Sequence, residues 1–162
     1  MRLIEGTIEV EDVDALLSTF AAVSADTGAT VQAVDADYVV DREHLTRAVE
    51  LADRAIERGE NVARNRAVEI LLYAAGRRQI DDALEMGLTA GPNRAVILID
   101  GGDEAAAVER IEDLVDPEPT LGTYDREAVR AFFDVTDAEL RAVEGDLADL
   151  VRERVALLPV EK

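Results

Sequence analysis

The run Ala95-Val96-Ile97-Leu98-Ile99 is apolar without a break, and it limits the folds open to this chain more than any other segment. A strand with one wet face alternates apolar and polar residues, so an unbroken apolar strand belongs in the middle of a sheet. The loop Thr89-Ala90-Gly91-Pro92-Asn93 leads into it and Gly101-Gly102 follows it. Gly and Pro at those places punctuate a short strand rather than a long helix.

The rest of the chain supplies partners for that strand. Residues 2–10 alternate loosely and predict a strand, as do residues 29–34, with Tyr38-Val39-Val40 a short third piece. A helix opening at Glu11 or Asp12 carries Val13, Leu16, Leu17, Phe20 and Val23 at helical spacing and stops at Thr27-Gly28. Further helices are predicted from Asp41 or Arg42 to Gly59, from Val62 or Ala63 to Gly76, from Gln79 to Met86, and from Glu104 to Leu114 or Val115. Thr136-Asp137-Ala138-Glu139 is a capping box for a final helix to about Leu157, with apolar positions Leu140, Val143, Leu147, Leu150, Val151, Val155 and Leu158. The expected class is α+β: one domain over residues 1–162, with a small, mostly antiparallel sheet and about six helices packed on it.

Composition removes several kinds of chemistry. The chain has no Cys and one His, His44, so disulfides, thiolate nucleophiles and multi-histidine metal sites are excluded. No segment approaches the roughly 20 apolar residues of a membrane span, and the N-terminus lacks a secretory apolar region. A soluble, cytoplasmic protein with no cofactor is expected. His44 sits in the first turn of a helix, where packing or capping suits it. Gly101-Gly102-Asp103-Glu104 has the letters of a cyclic-dinucleotide synthase signature but sits at a strand-to-helix turn, where acids suit the helix N-terminus.

The net charge is −19, and 16 of the 17 basic residues are Arg. Such a surface fits a proteome adapted to high salt, a G+C-rich genome, or an acidic interaction face. Within it, residues 54–78 hold six arginines against three glutamates, net +3, while both flanks are strongly negative. Arginines of this kind pair with neighbouring carboxylates, as Glu50 with Arg54, or they form an anion site. In a chain negative elsewhere, nucleic acid would be confined to this one patch. Its most distinctive point is the junction Gly76-Arg77-Arg78-Gln79-Ile80, where Gly permits a left-handed helix stop and the next helix offers its first N–H groups. Asp81 and Asp82 oppose a bare phosphate there.

This junction resembles that of the small subunit of the KEOPS complex, the PRPK-binding-protein (TPRKB) family. The residues that carry the resemblance are Glu69-Ile70-Leu71-Leu72-Tyr73, Gly76, Arg78-Gln79-Ile80, Ala83 and Gly87-Leu88. Upstream, Glu43-His44-Leu45 with Ala48 and Ala52 also fits, and downstream the final helix with Glu153-Arg154-Val155-Ala156-Leu157 does. The acid-dense surface departs from the family pattern and suits a haloarchaeal member.

The resemblance implies a non-catalytic subunit that binds the kinase-like ATPase subunit and, through it, the threonylcarbamoyltransferase subunit. It further implies recruitment of tRNA by its 3′ CCA end for N6-threonylcarbamoyladenosine (t6A) formation next to the anticodon. The residues it points to for tRNA are Arg77, Arg78 and Gln79, with Asn61, Arg64, Asn65 and Arg66 as neighbours. Exposed apolar positions of the final helix are candidates for the partner face. A protein-interaction module without RNA contact and a small-molecule regulatory domain are the competing readings.

Overall fold

The computed structural model describes residues 1–142 and 146–161. Four strands, β1 (Arg2–Val10), β2 (Thr30–Asp35), β3 (Gly91–Asp100) and β4 (Asp116–Pro117), form one antiparallel sheet in the order β2-β3-β1-β4. The helices among the described residues are α1 (Val13–Thr27), α2 (Arg42–Glu57), α3 (Arg66–Ala75), α4 (Ile80–Ala83), α5 (Glu104–Glu112), α6 (Arg126–Phe132), α7 (Asp137–Ala142) and α8 (Leu147–Glu161). The architecture is α+β, as the pattern predicts. None of these helices is long and apolar enough to cross a membrane.

β3 is an inner strand because both of its faces are dry. Ala95, Ile97 and Ile99 pack with Ile8, Val31, Ala33, Phe20, Val23, Ala107 and Ile111 under α1 and α5. Val96 and Leu98 pack on the other side with Val34 and the residues of α2, α3 and α8. Each fully buried Ile or Leu contributes about 1.5–3 kcal/mol. The outer edge of β2 is tied to α3 through Gln32. Gln32 Nε2 donates to the Ala67 carbonyl (2.7 Å) and its Oε1 accepts from the Ala33 N–H (3.0 Å).

The caps explain the helix ends that local sequence predicts. Asp12 accepts from the Asp14 and Ala15 N–H groups, and Gly28 takes a left-handed φ of 74° to stop α1. Asp41 caps α2 through the His44 N–H (2.8 Å). Leu17, however, is 49% exposed, so the α1 stripe narrows to Phe20 and Val23 with partial burial of Val13 and Leu16. Gly101-Gly102 is a turn of two left-handed residues, and Asp103 caps α5 through the Ala106 N–H (3.1 Å). Asp103 N–H also donates to the Thr27 carbonyl (2.8 Å), which docks this turn on the end of α1.

Several expectations are corrected. Tyr38-Val39-Val40 is not a strand: Ala36–Tyr38 forms a 3-10 turn held by the Asp35 carboxylate on the Asp37 N–H, and the Val40 N–H goes to His44 Nδ1. α3 begins at Arg66, later than predicted, because Glu69 Oε1 reaches back to take the Val62 and Ala63 N–H groups (2.9 and 3.2 Å) and hold residues 61–65 as a loop. The predicted helix 79–86 is four α residues followed by a 3-10 turn, Leu84–Met86. β4, too short for a periodic signal, pairs Asp116 with Thr7 and Pro117 with Gly6. The long final helix is two: Asp146 and Asp149 cap each other's N–H groups (3.0 and 3.2 Å) and open α8 afresh. Val143, counted among its apolar positions, lies outside the described residues. α6 had no counterpart in the sequence reading.

Candidate nucleic-acid interface

The residues singled out by sequence fall at opposite ends of α3, ten residues and so about 15 Å apart. At the N-terminal end most of them serve the fold. Asn61 Nδ2 donates to the Ala63 carbonyl (2.8 Å), and Asn65 Oδ1 caps α3 through the Ala67 and Val68 N–H groups (2.8 and 3.3 Å). Arg66 forks onto Asp53 (Nε–Oδ1 2.7 Å, Nη2–Oδ2 2.9 Å), reaches Asp100 Oδ2 (2.6 Å) and donates to Thr30 Oγ1 (2.8 Å). These bonds raise the pKa of its guanidinium. Burial works to raise the Asp100 carboxyl, but hydrogen bonds, led by Arg66, hold it below the ordinary carboxylate range. Arg64 is exposed and makes no side-chain bond among the described residues.

At the other end α3 closes on a complete Schellman motif. Gly76 (φ 61°) donates to the Tyr73 carbonyl (3.1 Å) and Arg77 N–H to the Leu72 carbonyl (3.0 Å). The chain then leaves the helix with Arg78, Gln79 and Ile80 all exposed. Gln79 stands at the N-cap of α4 but makes no side-chain cap bond, so its amide is available. Arg78 likewise has no side-chain partner among the described residues. Asp81 and Asp82 are exposed first-turn acids of α4.

Arg77 behaves differently from its neighbour. Its Nη2 donates to the Phe132 carbonyl and its guanidinium carbon lies 4.5 Å from the centroid of the Phe132 ring. Two concavities meet at this contact. One, about 250 Å³, is lined by Gly76, Arg77, Phe132, Phe133, Arg154 and Leu157 among others. The second, about 310 Å³, is lined by Arg77, Asp81, Asp82, Glu85 and Phe132.

An aromatic floor lies beneath this contact, unmarked by helix or strand periodicity. Phe132 lies edge-on to Tyr38 (5.2 Å) and Phe133 (5.1 Å), and Phe133 lies edge-on to His44 (5.7 Å). Arg154 ties α8 to the same corner through the Phe133 carbonyl (3.1 Å) and Glu139 (2.7 Å). The signal was the adjacent pair Phe132-Phe133 in a chain with only three Phe. His44 is fully buried, and its tautomer follows from its bonds. Nδ1 accepts from the Val40 N–H (3.3 Å), so Nε2 carries the proton and donates to the Ala74 carbonyl (2.7 Å). Burial lowers its pKa.

The positive window therefore splits: Arg66 is neutralised, Arg77 is laid on a ring, and Arg54 and Arg58 stand exposed at the end of α2. Glu50 pairs with Arg47 (3.1 Å) rather than Arg54. The rings beneath the turn are buried, so what the turn offers a ligand is the Arg78 guanidinium and the Gln79 amide.

The family model described as kinase binding protein CGI-121 matches residues 9–158. The chain belongs to that family. The match takes in both ends of α3, the α4 turn and the aromatic floor, so the whole candidate interface lies within the part shared with CGI-121. No curated protein matches the chain. Within this CGI-121 chain, Leu147, Leu150, Val151, Val155 and Leu158 of the final helix are core residues, and Leu157 is its exposed apolar side chain among the described residues.

Proposed function

We propose that this CGI-121 chain is the non-catalytic small subunit of a haloarchaeal KEOPS complex, working in the cytoplasm as a single domain over residues 1–162. It binds the kinase-like ATPase subunit and, through it, the threonylcarbamoyltransferase subunit. It recruits tRNA by the 3′ CCA end for t6A formation. The observation that carries the RNA part is the exposed pair Arg78 and Gln79, whose side chains have no partner among the described residues, at the closed end of α3. A guanidinium face and an amide suit unstacked bases, which offer π-faces and Watson–Crick edges. Asn61, Asn65 and Arg66 stand at the far end of α3, where each is engaged within the chain and shapes that end rather than touching RNA. Arg64, at the same end, is exposed with no side-chain bond among the described residues. At high salt the Debye length is only about 3 Å, so stacking and direct hydrogen bonds carry the affinity.

A mobility shift with tRNA, intact or lacking CCA, tests this reading. Arg78→Ala and Gln79→Ala should each weaken binding of intact tRNA by roughly tenfold or more while leaving the melting temperature unchanged. No shift with either tRNA would favour the module that docks the kinase-like partner without RNA contact, and equal affinity with and without CCA would move the RNA contact away from the 3′ end. Failure to capture that partner would remove the KEOPS assignment itself.

A further inference from the structure

Arg77 and Arg78 are adjacent, yet their surroundings give them different work. Arg78 is exposed with no partner among the described residues. Arg77 is half-buried and joined to two distant parts of the chain. Its backbone N–H closes α3 on the Leu72 carbonyl, and its guanidinium donates to the Phe132 carbonyl while covering the Phe132 ring at 4.5 Å. Phe132 is itself fixed, 6% exposed and held edge-on by Tyr38 and Phe133. Phe133 approaches to 3.8 Å from where a Cβ on Gly76 would stand. The turn that carries Arg78 and Gln79 is thus pinned to the end of α6 through one side chain.

We propose that Arg77 is a positioning residue of the RNA site. It takes no RNA phosphate; it locks the Gly76–Gln79 turn so that Arg78 and Gln79 project in one arrangement. The physical basis is preorganisation: a turn held in its bound form loses less conformational freedom on binding. Arg fits this post better than Lys, because its planar fork donates to a carbonyl while its face lies on a ring. The inference rests on the RNA reading above, and the experiment separates the two.

The variants are Arg77→Ala, Phe132→Leu and the two together, with Arg78→Ala as the contrast. Binding to a tRNA with a single-stranded 3′ end is measured across a salt series, and amide hydrogen exchange is followed at residues 76–79. Arg77→Ala should weaken binding by roughly tenfold and Phe132→Leu, which removes the ring but keeps the backbone carbonyl, by a smaller factor; the double variant should be no worse than Arg77→Ala, because the ring acts only through Arg77. The salt slope of log K should stay at the wild-type value in these variants, whereas a lost phosphate contact lowers it by about 0.7. The Arg77 amide should exchange faster in both single variants. An Arg77→Ala slope reduced by that amount, with Phe132→Leu binding normally, would overturn the proposal, since Arg77 would then hold phosphate directly. Lowered melting temperatures with undiminished affinity would also overturn it, leaving a role in the fold alone. If wild-type protein binds no tRNA, the RNA reading fails. The exchange arm then still decides whether Arg77 holds the turn, and unchanged exchange in both variants refutes that.

Discussion

Arg66 offers the sharpest division between a residue that binds RNA and one that builds the protein. Its guanidinium joins the start of α3 to α2 through Asp53 and to the end of β3 through Asp100. The Asp53 carboxylate is 43% exposed, so that arm is discounted for solvent screening to about 0.5 kcal/mol. Asp100 is 21% exposed and loses its main partner, and the Thr30 hydroxyl loses a donor, for about 1.5–2 kcal/mol. Arg66→Ala should therefore cost about 2–2.5 kcal/mol, a fall in melting temperature of about 4–10 °C for a chain of this length. The Asp100 carboxyl is held below its unfolded value, so its share of stability is present above about pH 4 and lost as pH falls. In Arg66→Ala that acid-side loss should be shallower. Urea denaturation gives the stability and a mobility shift gives the tRNA affinity, which should stay within about twofold of wild type. A variant that unfolds like wild type but loses tRNA would refute the reasoning, because Arg66 would then be turning its fork outward.

Two further outcomes follow from the buried and backbone-crowded positions. His44 refuses a proton in the folded state, so stability should fall as pH drops below about 6.5, by at most about 1.4 kcal/mol per pH unit, until the folded pKa is reached. Between pH 7.5 and 5.5, His44→Gln should be flatter than wild type in urea titrations, and parallel slopes would sink the assignment. Ala at Gly101 meets open space and pays only left-handed strain, about 1–2 kcal/mol, since nothing lies within 4 Å of its Cβ. Ala at Gly102 would stand 2.3 Å from the Gly28 carbonyl carbon and should cost about 1–3 kcal/mol more by chemical denaturation. Equal costs would mean that the Gly28–Gly102 approach relaxes freely.

The parts of the fold legible in the sequence are those whose cause is local. Asp12 and Gly28 bound α1, Asp41 caps α2, and Gly76 stops α3, each within a few residues of the group it satisfies. The apolar run of β3 announced an inner strand for the same reason. What the sequence hid depends on distant partners. Glu69 delays α3 by bonding a loop seven residues upstream, a placement that periodicity does not report. α6 has seven residues with Val129 and Phe132 as its buried positions, too short for a periodic signal. At the candidate site, the junction itself was visible through Gly76 and the paired arginines. The different employments of Arg66, Arg77 and Arg78 were not, because their partners or lack of them lie 13 to 55 residues away in the chain.

The same unbroken apolar run that makes β3 central also makes its alignment ambiguous. Sliding the strand by one residue would exchange Ile97 for Val96 or Leu98 on each face, and both cores would still receive an aliphatic side chain. Hydrophobicity alone therefore distinguishes poorly between neighbouring registers. The distinction falls to the two ends of the strand, where charges of opposite sign are held: Arg94 by Asp37 (2.6 Å) and Asp100 by Arg66 (2.6 Å). A one-residue slip carries each about 3.3 Å from its partner and breaks both together. These pairs act as pegs that choose one alignment among several of similar apolar content, a contribution to uniqueness beyond what they add to the stability of the correct fold.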